Sequence, residues 1–526
     1  MASKVVKNKL YLSKSLFIRG LQCHKSLYLQ KYRPELKDPM TKEAQQLFDV
    51  GYDVGALAQQ LFPGGVIVPY EGLSYSEQLA MTRSLIEQGT KTIYEAAFSH
   101  NDVFVKADIL HRGKRGWEIY EVKSSSAVKD YHYDDASVQY YVIAGTGLPV
   151  AKVFLVHINT GYVRQGEIDV HQLFTLVDLT EMAQENAAVV PKDLQRLRAA
   201  LRGLEPDIDI GPHCNDPFEC DFKGHCWVHV PSPSVFDLTD RGKPDPFELY
   251  QQGIVRLEDV PPDSLGWRQK LQLEGVLHRK NHLDADAIRR FIESLWYPIC
   301  LMDFETTTMV PIPLYDGTRP YQQVPFQFSV HILPKPGGKL EHHQYLSDGS
   351  INPQKEFLEE LLAVIPRNAC ILVWNQSFES SRLKELADAF PKKSGAINHL
   401  IKRIRDLMVP FRDKSLYHWQ FNGSYSIKAV LPALVPGLSY DQLEISDGGE
   451  ASAAWLRMVQ ANDSDEKAVI REQLLRYCEL DTLAMVKILG KMEEMASRVR
   501  EGRKFRSMSV ATPNSRRATD KAKSRS

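Results

Sequence analysis

Hydrophobic and polar positions along the chain predict short strands and helices that alternate, with a break near the middle. An amphipathic N-terminal segment predicts a helix over residues 11–32, with Ser13 as its N-cap, and a second helix near 41–61. Between residues 92 and 157, apolar runs typical of strands surround one helical segment at 134–145. This alternation predicts an α/β sheet.

The pattern predicts helices over 171–203, followed by a Pro-containing stretch that is typical of neither a sheet nor a long helix. A second α/β unit is expected after this stretch. The apolar run at 297–305 predicts its first strand. The further expected elements are strands at 326–333 and 369–375 and helices at 353–365, 377–389 and 466–496. We therefore expect a first domain over 1–230, a helical connector over 231–295, a second domain over 296–497 and a tail over 498–526.

Composition adds limits to this picture. With 526 residues, 43% hydrophobic and 25% charged, the chain is long enough for several globular domains. The net charge of -1 excludes a global cationic field, so any nucleic-acid surface must be local. No apolar signal segment or membrane-length apolar run is present, which predicts a cytoplasmic protein without a membrane partner. No GxxxxGK[ST] loop occurs, so a helicase would have to be supplied by another protein.

The tail differs in composition from the rest of the chain. From Arg498 onward it holds ten Lys or Arg residues against two acidic ones, with Ser, Thr, Ala and Pro between them. Such a composition predicts disorder. The basic residues fit a solvated tail as well as an arm that binds phosphates.

Carboxylates and a lysine fall on two neighbouring strands of the first unit. Glu121 and Lys123 are two residues apart, so both point to one side of a strand, while Val122 points to the other. With Asp108 on the adjacent strand, two carboxylates and an ammonium converge. Carboxylates suit Mg²⁺ or Mn²⁺, and the lysine would orient a water or stabilise a transition state. Alternating charges on a half-exposed strand are the plainer alternative.

This series resembles the RecB-type branch of the PD-(D/E)XK nucleases. The resemblance implies a restriction-endonuclease-type core and metal-dependent phosphodiester hydrolysis. The matching residues are Asp108 as metal ligand, Glu121 and Lys123 as the E-x-K motif, and Gln139 with Tyr140 or Tyr141 as the downstream helix motif.

The resemblance departs from the family upstream of the strands. Many members carry a histidine ligand in the preceding helix, but residues 51–62 contain none, and Glu95 is the residue that would compensate. Aromatic and basic side chains near the strands would either bind a single strand or be ordinary surface residues. These are Trp117, Lys129, Tyr131, His132 and Tyr133.

Four cysteines of the first half suggest a metal site. Cys214, Cys220 and Cys226 are evenly spaced on a turn-rich segment, and Cys23 is the remaining cysteine of that half. This pattern resembles the iron–sulfur staple of AddB-type and CRISPR-associated RecB-family nucleases, which implies a [4Fe–4S] cluster. Zinc on the same ligands is the alternative, with His24, His213 or His225 able to replace a cysteine. In contrast, Cys300, Cys370 and Cys478 lie in apolar runs and are expected to be buried hydrophobic residues.

A second group of carboxylates belongs to the second unit. Asp303 and Glu305 are two apart on an otherwise apolar strand, where desolvation of two carboxylates is costly without a metal. Four carboxylates together would suit two divalent cations, and a tyrosine would orient the attacking water. The further members are Asn375 and Glu379 near a strand-to-helix switch, and Tyr477 and Asp481, one turn apart on the last helix.

This second group resembles the DnaQ-like, or DEDD, 3′–5′ exonucleases, which implies an RNase H-like domain. The tyrosine spacing indicates the DEDDy branch, since Arg476 holds the place of the DEDDh histidine. Asp406 and Lys428 fall in segments similar to those between the second and third motifs. Glu379 departs from the usual aspartate, and its extra methylene shifts the ligand by roughly 1.5 Å.

Together, the two resemblances point to an uncharacterised bacterial family that fuses a RecB-like nuclease to a DnaQ-like domain. They imply a Mg²⁺- or Mn²⁺-dependent nuclease acting on DNA, as an exonuclease on single strands or ends, in repair, recombination or defence against foreign DNA. An RNase is one alternative. A nucleic-acid-binding adaptor with an inactive second site is the other.

Overall fold

The computed structural model describes residues 10–240, 243–307 and 310–500, without the side chains of 42–44, 46–49 and 498–500. Two separate sheets form the centres of two mixed α/β units. Among the described residues, no helix combines the length and the apolar character needed to cross a membrane.

The first sheet has seven strands in the order β2-β3-β4-β5-β6-β7, with β1 pairing with β4. The central strands β3, β4 and β5 are antiparallel, whereas β5 and β6 run parallel across a helical crossover. Alternating buried and half-buried positions along β4 are typical of a strand that packs helices on its faces. The strands are β1 Leu12–Ser13, β2 Val66–Ile67, β3 Thr92–His100, β4 Val103–Arg112, β5 Trp117–Val122, β6 Val150–Ile158 and β7 Phe174–Asp178.

Helices cover both faces of this sheet. Ser13 caps the first helix by accepting a hydrogen bond from Leu16 N, as its position in the sequence predicts. The long crossover helix between β5 and β6 packs on β3, β4 and β6 and carries the downstream motif residues. The helices are α1 Lys14–Gln22, α2 His24–Tyr32, α3 Lys42–Ala58, α4 Tyr75–Glu87, α5 Asp130–Gly145, α6 Val170–Leu173, α7 Thr180–Ala187, α8 Val190–Arg202 and α9 Lys223–Cys226.

Residues between the two sheets form short helices around a small apolar cluster. Leu249, Leu257 and Leu273 belong to this cluster. The segment also joins the second unit directly, because its strand β8 pairs antiparallel with residues Leu416–Tyr417. Its elements are α10 Pro246–Gln251, α11 Trp267–His278, β8 His282–Leu283 and α12 Ala285–Glu293.

The second sheet has five strands in the order β11-β10-β9-β12-β13. Its central strand β9 pairs antiparallel with β10 and parallel with β12. The last helix, α19, packs across β9 and β10. The strands are β9 Ile299–Thr306, β10 Pro325–Leu333, β11 Glu341–Leu346, β12 Cys370–Val373, β13 Ile404–Asp406 and β14 Leu416–Tyr417; the helices are α13 Gln354–Val364, α14 Gln376–Ala389, α15 Ser394–Ile401, α16 Val409–Arg412, α17 Ile427–Leu434, α18 Gly448–Gln460 and α19 Ser464–Arg500.

Two element predictions are wrong in part. The helix expected over 11–32 is interrupted at Cys23, whose extended backbone ends α1 and begins α2. The helices expected over 171–203 include a strand, because residues 174–178 pair with β6 at the edge of the sheet. Edge pairing of the apolar and β-branched residues in this run overrides a helical interpretation. The tail prediction concerns mainly residues 501–526, which lie outside the described residues.

Candidate functional site

The first group of predicted residues meets across β4 and β5. The antiparallel register pairs Ile109 with Tyr120, so the next step along it brings Asp108 opposite Glu121. Asp108 Oδ2 accepts a 2.7 Å hydrogen bond from Val122 N. The structure therefore brings the two carboxylates together on one side of the sheet.

Glu121 is buried but surrounded by donors. Its Oε1 lies 2.8 Å from Lys123 Nζ and 2.6 Å from Lys14 Nζ, and its Oε2 accepts a hydrogen bond from Gln139 Nε2. Burial opposes ionisation of Glu121, but the two ammonium charges outweigh it and hold the pKa of this carboxyl below its usual range. Burial and the charge of Glu121 raise the pKa of Asp108 to about 8. The site thus keeps one carboxylate ionised beside another that tends to retain its proton.

Two partners of this site are missing from the sequence-based prediction. Lys14 lies 107 positions before Glu121 and reaches it from the start of α1. Asp135 on α5 lies 2.6 Å from Lys123 Nζ. Burial lowers the pKa of the Lys123 ammonium, but Glu121 and Asp135 outweigh that effect and raise it above its usual value. No local motif marks Lys14 or Asp135, since packing of α1 and α5 on the sheet decides their positions.

The predicted supporting residues divide into two groups. Gln139 is fully buried and bonds both Glu121 and the main-chain oxygen of Lys106. Glu95 has a positive φ of 56° and lies 3.5 Å from Lys106 Nζ. In contrast, Tyr140 packs against the hydrophobic core of the first sheet. Its contacts in the described part of the chain give it a packing role.

The aromatic prediction around this site needs correction. Trp117 and His132 are buried, so neither is available to stack on a nucleic-acid strand. His132 Nδ1 accepts a hydrogen bond from Lys129 N at the start of α5, and its Nε2 has no hydrogen-bond partner among the described residues.

An open cavity of about 640 Å³ leads to Asp108. Glu95, Lys106 and Asp108 line this cavity, and so do the exposed rings of Tyr52 and Tyr70. Lys106 Nζ lies 5.0 Å from the centre of the Tyr70 ring. Asp108 and Glu95 are therefore accessible to a ligand of considerable size, whereas Glu121 is buried behind them.

The four cysteines of the first half line one small cavity. Cys23 lies at the break between α1 and α2, and Cys214, Cys220 and Cys226 lie after α8. Burial raises the pKa of Cys226 to about 11, and the other three cysteines add to this effect. Cys23 thus lies beside three cysteines that come at least 191 residues later in the chain.

A salt bridge holds the same two segments together. Arg19 on α1 forms two hydrogen bonds with Asp221, at 2.6 and 2.9 Å. Lys37 Nζ lies 2.8 Å from the same carboxylate. Burial opposes ionisation of Asp221, but these cationic partners lower the pKa of its carboxyl. The cysteine segment is therefore anchored independently of any metal.

The second group of predicted residues meets on β9 and α19. One ligand atom each of Asp303, Glu305 and Cys478 lies within 4.8 Å of the others. Burial and the charge of Asp481 raise the pKa of Asp303 well above its ordinary value. Burial raises the pKa of Asp481 itself to about 7. The structure thus collects acidic groups that repel one another when all are ionised.

Glu379 joins this group from α14. It is buried, and burial together with the charge of Asp303 raises its pKa well above the ordinary value. Its Oε2 has no hydrogen-bond partner among the described residues. The longer side chain therefore reaches the surroundings of Asp303 and presents an oxygen without a protein donor.

Two tyrosines and a lysine complete the surroundings. Tyr477 is 4% exposed and lies one turn before Asp481. The Tyr440 hydroxyl donates a 2.6 Å hydrogen bond to Asp481 Oδ1. The charge of Lys428 lowers the pKa values of Asp481 and Glu305 against the effect of burial. Of these contacts, sequence reasoning missed Tyr440, which no motif distinguishes from other tyrosines.

Asn375 and Asp406 shape the switch from β12 into α14. Asn375 has a left-handed backbone with φ of 85°, and its side-chain oxygen accepts a 2.6 Å hydrogen bond from Ser377 Oγ. Asp406 Oδ1 accepts a 3.2 Å hydrogen bond from Asn375 N. These contacts fix the turn that directs Glu379 inward.

The cysteines of the second half are buried, as predicted. Cys300 and Cys370 belong to the hydrophobic cores on the two faces of the second sheet. Cys478 differs from them because its sulfur lies beside Asp303 and Glu305. The prediction of burial is confirmed, but Cys478 also belongs to the acidic group.

The segment after β9 contacts the first unit. The Tyr321 hydroxyl donates a hydrogen bond to the main-chain oxygen of Ser124, the residue after Lys123. Arg164 Nη1 donates hydrogen bonds to the main-chain oxygens of Pro313 and Leu314, at 3.0 and 2.9 Å. These hydrogen bonds join residues 313–321 to the first unit, next to Lys123.

Comparison with known proteins gives a family model and a curated relative. The family model described as a domain of unknown function, DUF2779, matches residues 300–426, which include Asp303, Glu305 and Glu379. A curated relative, Uncharacterized protein MG366 of Mycoplasma genitalium, is 27% identical over 206 residues. This match covers 36% of the chain and 31% of that protein. Neither description names an activity, so function must be argued from the sites.

Proposed function

We propose that this protein is a metal-dependent nuclease with two phosphodiesterase centres, acting on DNA. The observation that carries the proposal is the buried group of Asp303, Glu305 and Asp481 beside Tyr477. Burial of several mutually repelling carboxylates costs free energy that a bound cation offsets. The group is therefore best explained as a cation site.

The residues present fit divalent cations. Oxygen ligands suit Mg²⁺ or Mn²⁺, and Glu379 Oε2 is buried without a partner among the described residues. Asp303, Glu305, Glu379 and Asp481, whose burial and mutual charges raise their pKa values, would hold the ions. When bound, divalent cations lower the pKa of water and neutralise charge on a phosphodiester. Cys478 is a soft ligand for such ions, so we assign it no coordination.

The chain's own groups supply the remaining functions of this second centre. The Tyr477 hydroxyl, held one turn from Asp481, would orient the attacking water. Burial and the surrounding carboxylates raise the pKa of Tyr477, so its hydroxyl keeps a proton to donate. The Tyr440 hydrogen bond favours the ionised form of Asp481. We expect an RNase H-like fold for this unit, which the order of its five strands supports.

The first centre is proposed as a RecB-like one. Asp108 and Glu121 would hold a divalent cation beside the open cavity, and Glu95 lies at the same cavity. Lys123 neutralises Glu121 and would stabilise negative charge on the phosphate. The accessible cavity supports a polymeric substrate better than a buried cofactor.

We also propose an iron–sulfur cluster on Cys23, Cys214, Cys220 and Cys226. The four cysteines line one small cavity, and their order in the chain resembles that of iron–sulfur nucleases, which supports a cluster over zinc. Its function would be to hold α1 and α2 against the core.

Cleavage of defined substrates tests the nuclease proposal. The wild-type protein, Lys123→Ala, Asp303→Asn and the double variant are each incubated with end-labelled single- and double-stranded DNA and RNA. Each reaction contains Mg²⁺ or Mn²⁺. We expect each single variant to lose one activity and the double variant to lose both. Lys192→Ala and Glu341→Gln, at exposed positions, are the matched controls. Full activity in the double variant would overturn the site assignments, and cleavage of RNA alone would make the protein an RNase.

Two further outcomes test the adaptor alternative and the iron–sulfur cluster. Binding of nucleic acid without cleavage of any substrate would favour the adaptor. For the cluster, anaerobic purification should give protein with bound iron and sulfide, lost in Cys220→Ser and kept in His225→Ala. A colourless preparation that contains zinc and no iron would contradict the iron–sulfur assignment.

A further inference from the structure

Three side chains at the edge of the second sheet form a cluster apart from both proposed centres. His331 on β10 lies directly opposite His342 on β11, and Glu479 approaches both from α19. One ligand atom of each lies within 4.8 Å of the others. We propose that this cluster binds a divalent transition metal ion of the zinc type and that the ion fastens α19 to the β10–β11 hairpin.

Among the described residues, hydrogen bonds occupy one nitrogen of each imidazole and leave the other available for a metal. His331 Nδ1 lies 2.8 Å from Thr482 Oγ1, and His342 Nε2 lies 3.0 Å from Ser329 Oγ. Ser329 Oγ lies 2.7 Å from Thr482 Oγ1, which in turn donates to the main-chain oxygen of Glu479. If His331 Nδ1 donates to Thr482 and His342 Nε2 donates to Ser329, the Ser329 hydroxyl can donate to Thr482 Oγ1. The Thr482 hydroxyl then donates to the main-chain oxygen of Glu479. His331 Nε2 and His342 Nδ1 then carry the lone pairs.

Such an arrangement is what metal-binding histidines require. A ligating imidazole usually donates its other N–H to a neighbouring acceptor, which fixes its tautomer and orientation. Here the two acceptors are Thr482 and Ser329, both fully buried. The two rings are stacked, with centres 4.4 Å apart, so one ring must tilt for a single metal to lie in the plane of both. The outer hydrogen bonds are therefore formed before any metal binds.

The spacing and exposure also fit a zinc-type ion. His342 Nδ1 lies 3.8 Å from Glu479 Oε1, close to the separation of about 3.4 Å between N and O ligands of tetrahedral zinc. Two imidazoles and one carboxylate suit zinc better than Mg²⁺, which prefers oxygen ligands. The Glu479 and His342 side chains are 45% and 23% exposed, so a water can complete the coordination.

A metal ion bound at this cluster would restrain helix α19. Glu479 lies on α19 between Tyr477 and Asp481, the residues that α19 contributes to the second proposed centre. A metal bound to both β-strands and α19 would limit movement of that helix relative to the sheet. The zinc site does not depend on the proposed nuclease function, since its ligands are other residues.

Metal titration of the full-length protein tests this site. Metal-depleted wild-type chain is titrated with Zn²⁺ in competition with a chromophoric chelator, without nucleic acid. We expect His342→Ala and Glu479→Gln to bind one zinc equivalent fewer per chain. Ser329→Ala should bind that equivalent about 10–100-fold more weakly, because it removes only an outer hydrogen bond. Zn²⁺ should raise the Tm of the wild type more than that of Glu479→Gln.

The controls separate this site from the others. His343→Ala changes the neighbouring, exposed histidine of β11 and should keep the full zinc content. In an Asp303→Asn background, which weakens the proposed second centre, His342→Ala should still remove one zinc equivalent. Glu479 is half exposed, so Glu479→Gln should fold, as circular dichroism would verify. A folded Glu479→Gln with wild-type zinc stoichiometry and affinity would overturn the proposal.

Discussion

Tyr440 donates a 2.6 Å hydrogen bond to Asp481, from a position 41 residues earlier in the chain. Burial raises the pKa of Asp481 to about 7, and the tyrosine hydroxyl acts against this effect. The bond therefore favours the ionised carboxylate in a site crowded with acidic groups. Any cation bound there must displace protons, so this donor affects cation affinity directly.

Replacing Tyr440 by Phe should weaken divalent-cation binding by about 10-fold or more, the usual range for loss of an outer hydrogen bond. The reason is that a proton on Asp481 becomes harder to displace. Isothermal titration with Mn²⁺ measures the change. Tyr425→Phe, which alters an exposed tyrosine, should bind as the wild type does. Equal Mn²⁺ affinity in Tyr440→Phe and wild type would contradict the assigned function of this bond.

Replacing Lys14 by Met should destabilise the first unit. Lys14 Nζ lies 2.6 Å from the buried Glu121 carboxylate, and hydrogen bonds to charged groups contribute about 1.5–3 kcal/mol. Lys123 still neutralises Glu121, so the unit should remain folded. Urea denaturation gives the unfolding free energy, and Lys129→Met at an exposed position should leave it unchanged. In an Asp303→Asn background, Lys14→Met should also reduce the remaining cleavage.

The contribution of His132 to the stability of the first unit should fall as pH drops from 6.5 towards 4, whereas Asp108, whose pKa is raised to about 8, contributes in the opposite direction. Burial lowers the pKa of His132 from 6.5 to about 4 in the folded chain. In this window the unfolded chain binds the proton and the folded chain does not, so stability rises with pH. The slope for one such group is at most about 1.4 kcal/mol per pH unit. Urea denaturation at several pH values should show a smaller slope for His132→Gln, and an unchanged slope would contradict this.

Replacing Arg164 by Ala should loosen the contact between the two units. The change removes the hydrogen bonds to the main-chain oxygens of Pro313 and Leu314. Residues 310–322 should then become more sensitive to limited proteolysis, while circular dichroism stays unchanged. Arg115→Ala, at an exposed position of the first unit, is the control. Identical cleavage of both variants would show that Arg164 does not hold this segment.

Much of each site was predictable because its geometry is local. Glu121 and Lys123 face one side because strand residues alternate, and Tyr477 and Asp481 share a helical face because they are one turn apart. The same reasoning finds the strands and most helices. It fails at residues 174–178, where pairing with β6 decides the conformation.

The sequence by itself therefore determined two α/β units, the pairs of acidic residues on their strands and the burial of the cysteines in the second half. Only the tertiary structure decided that Lys14 and Asp135 meet at the E-x-K motif and that Tyr440 bonds Asp481. It alone joined His331, His342 and Glu479. The physical reason is that strand register and helix packing bring distant residues together, and neither is encoded in the spacing of any short motif.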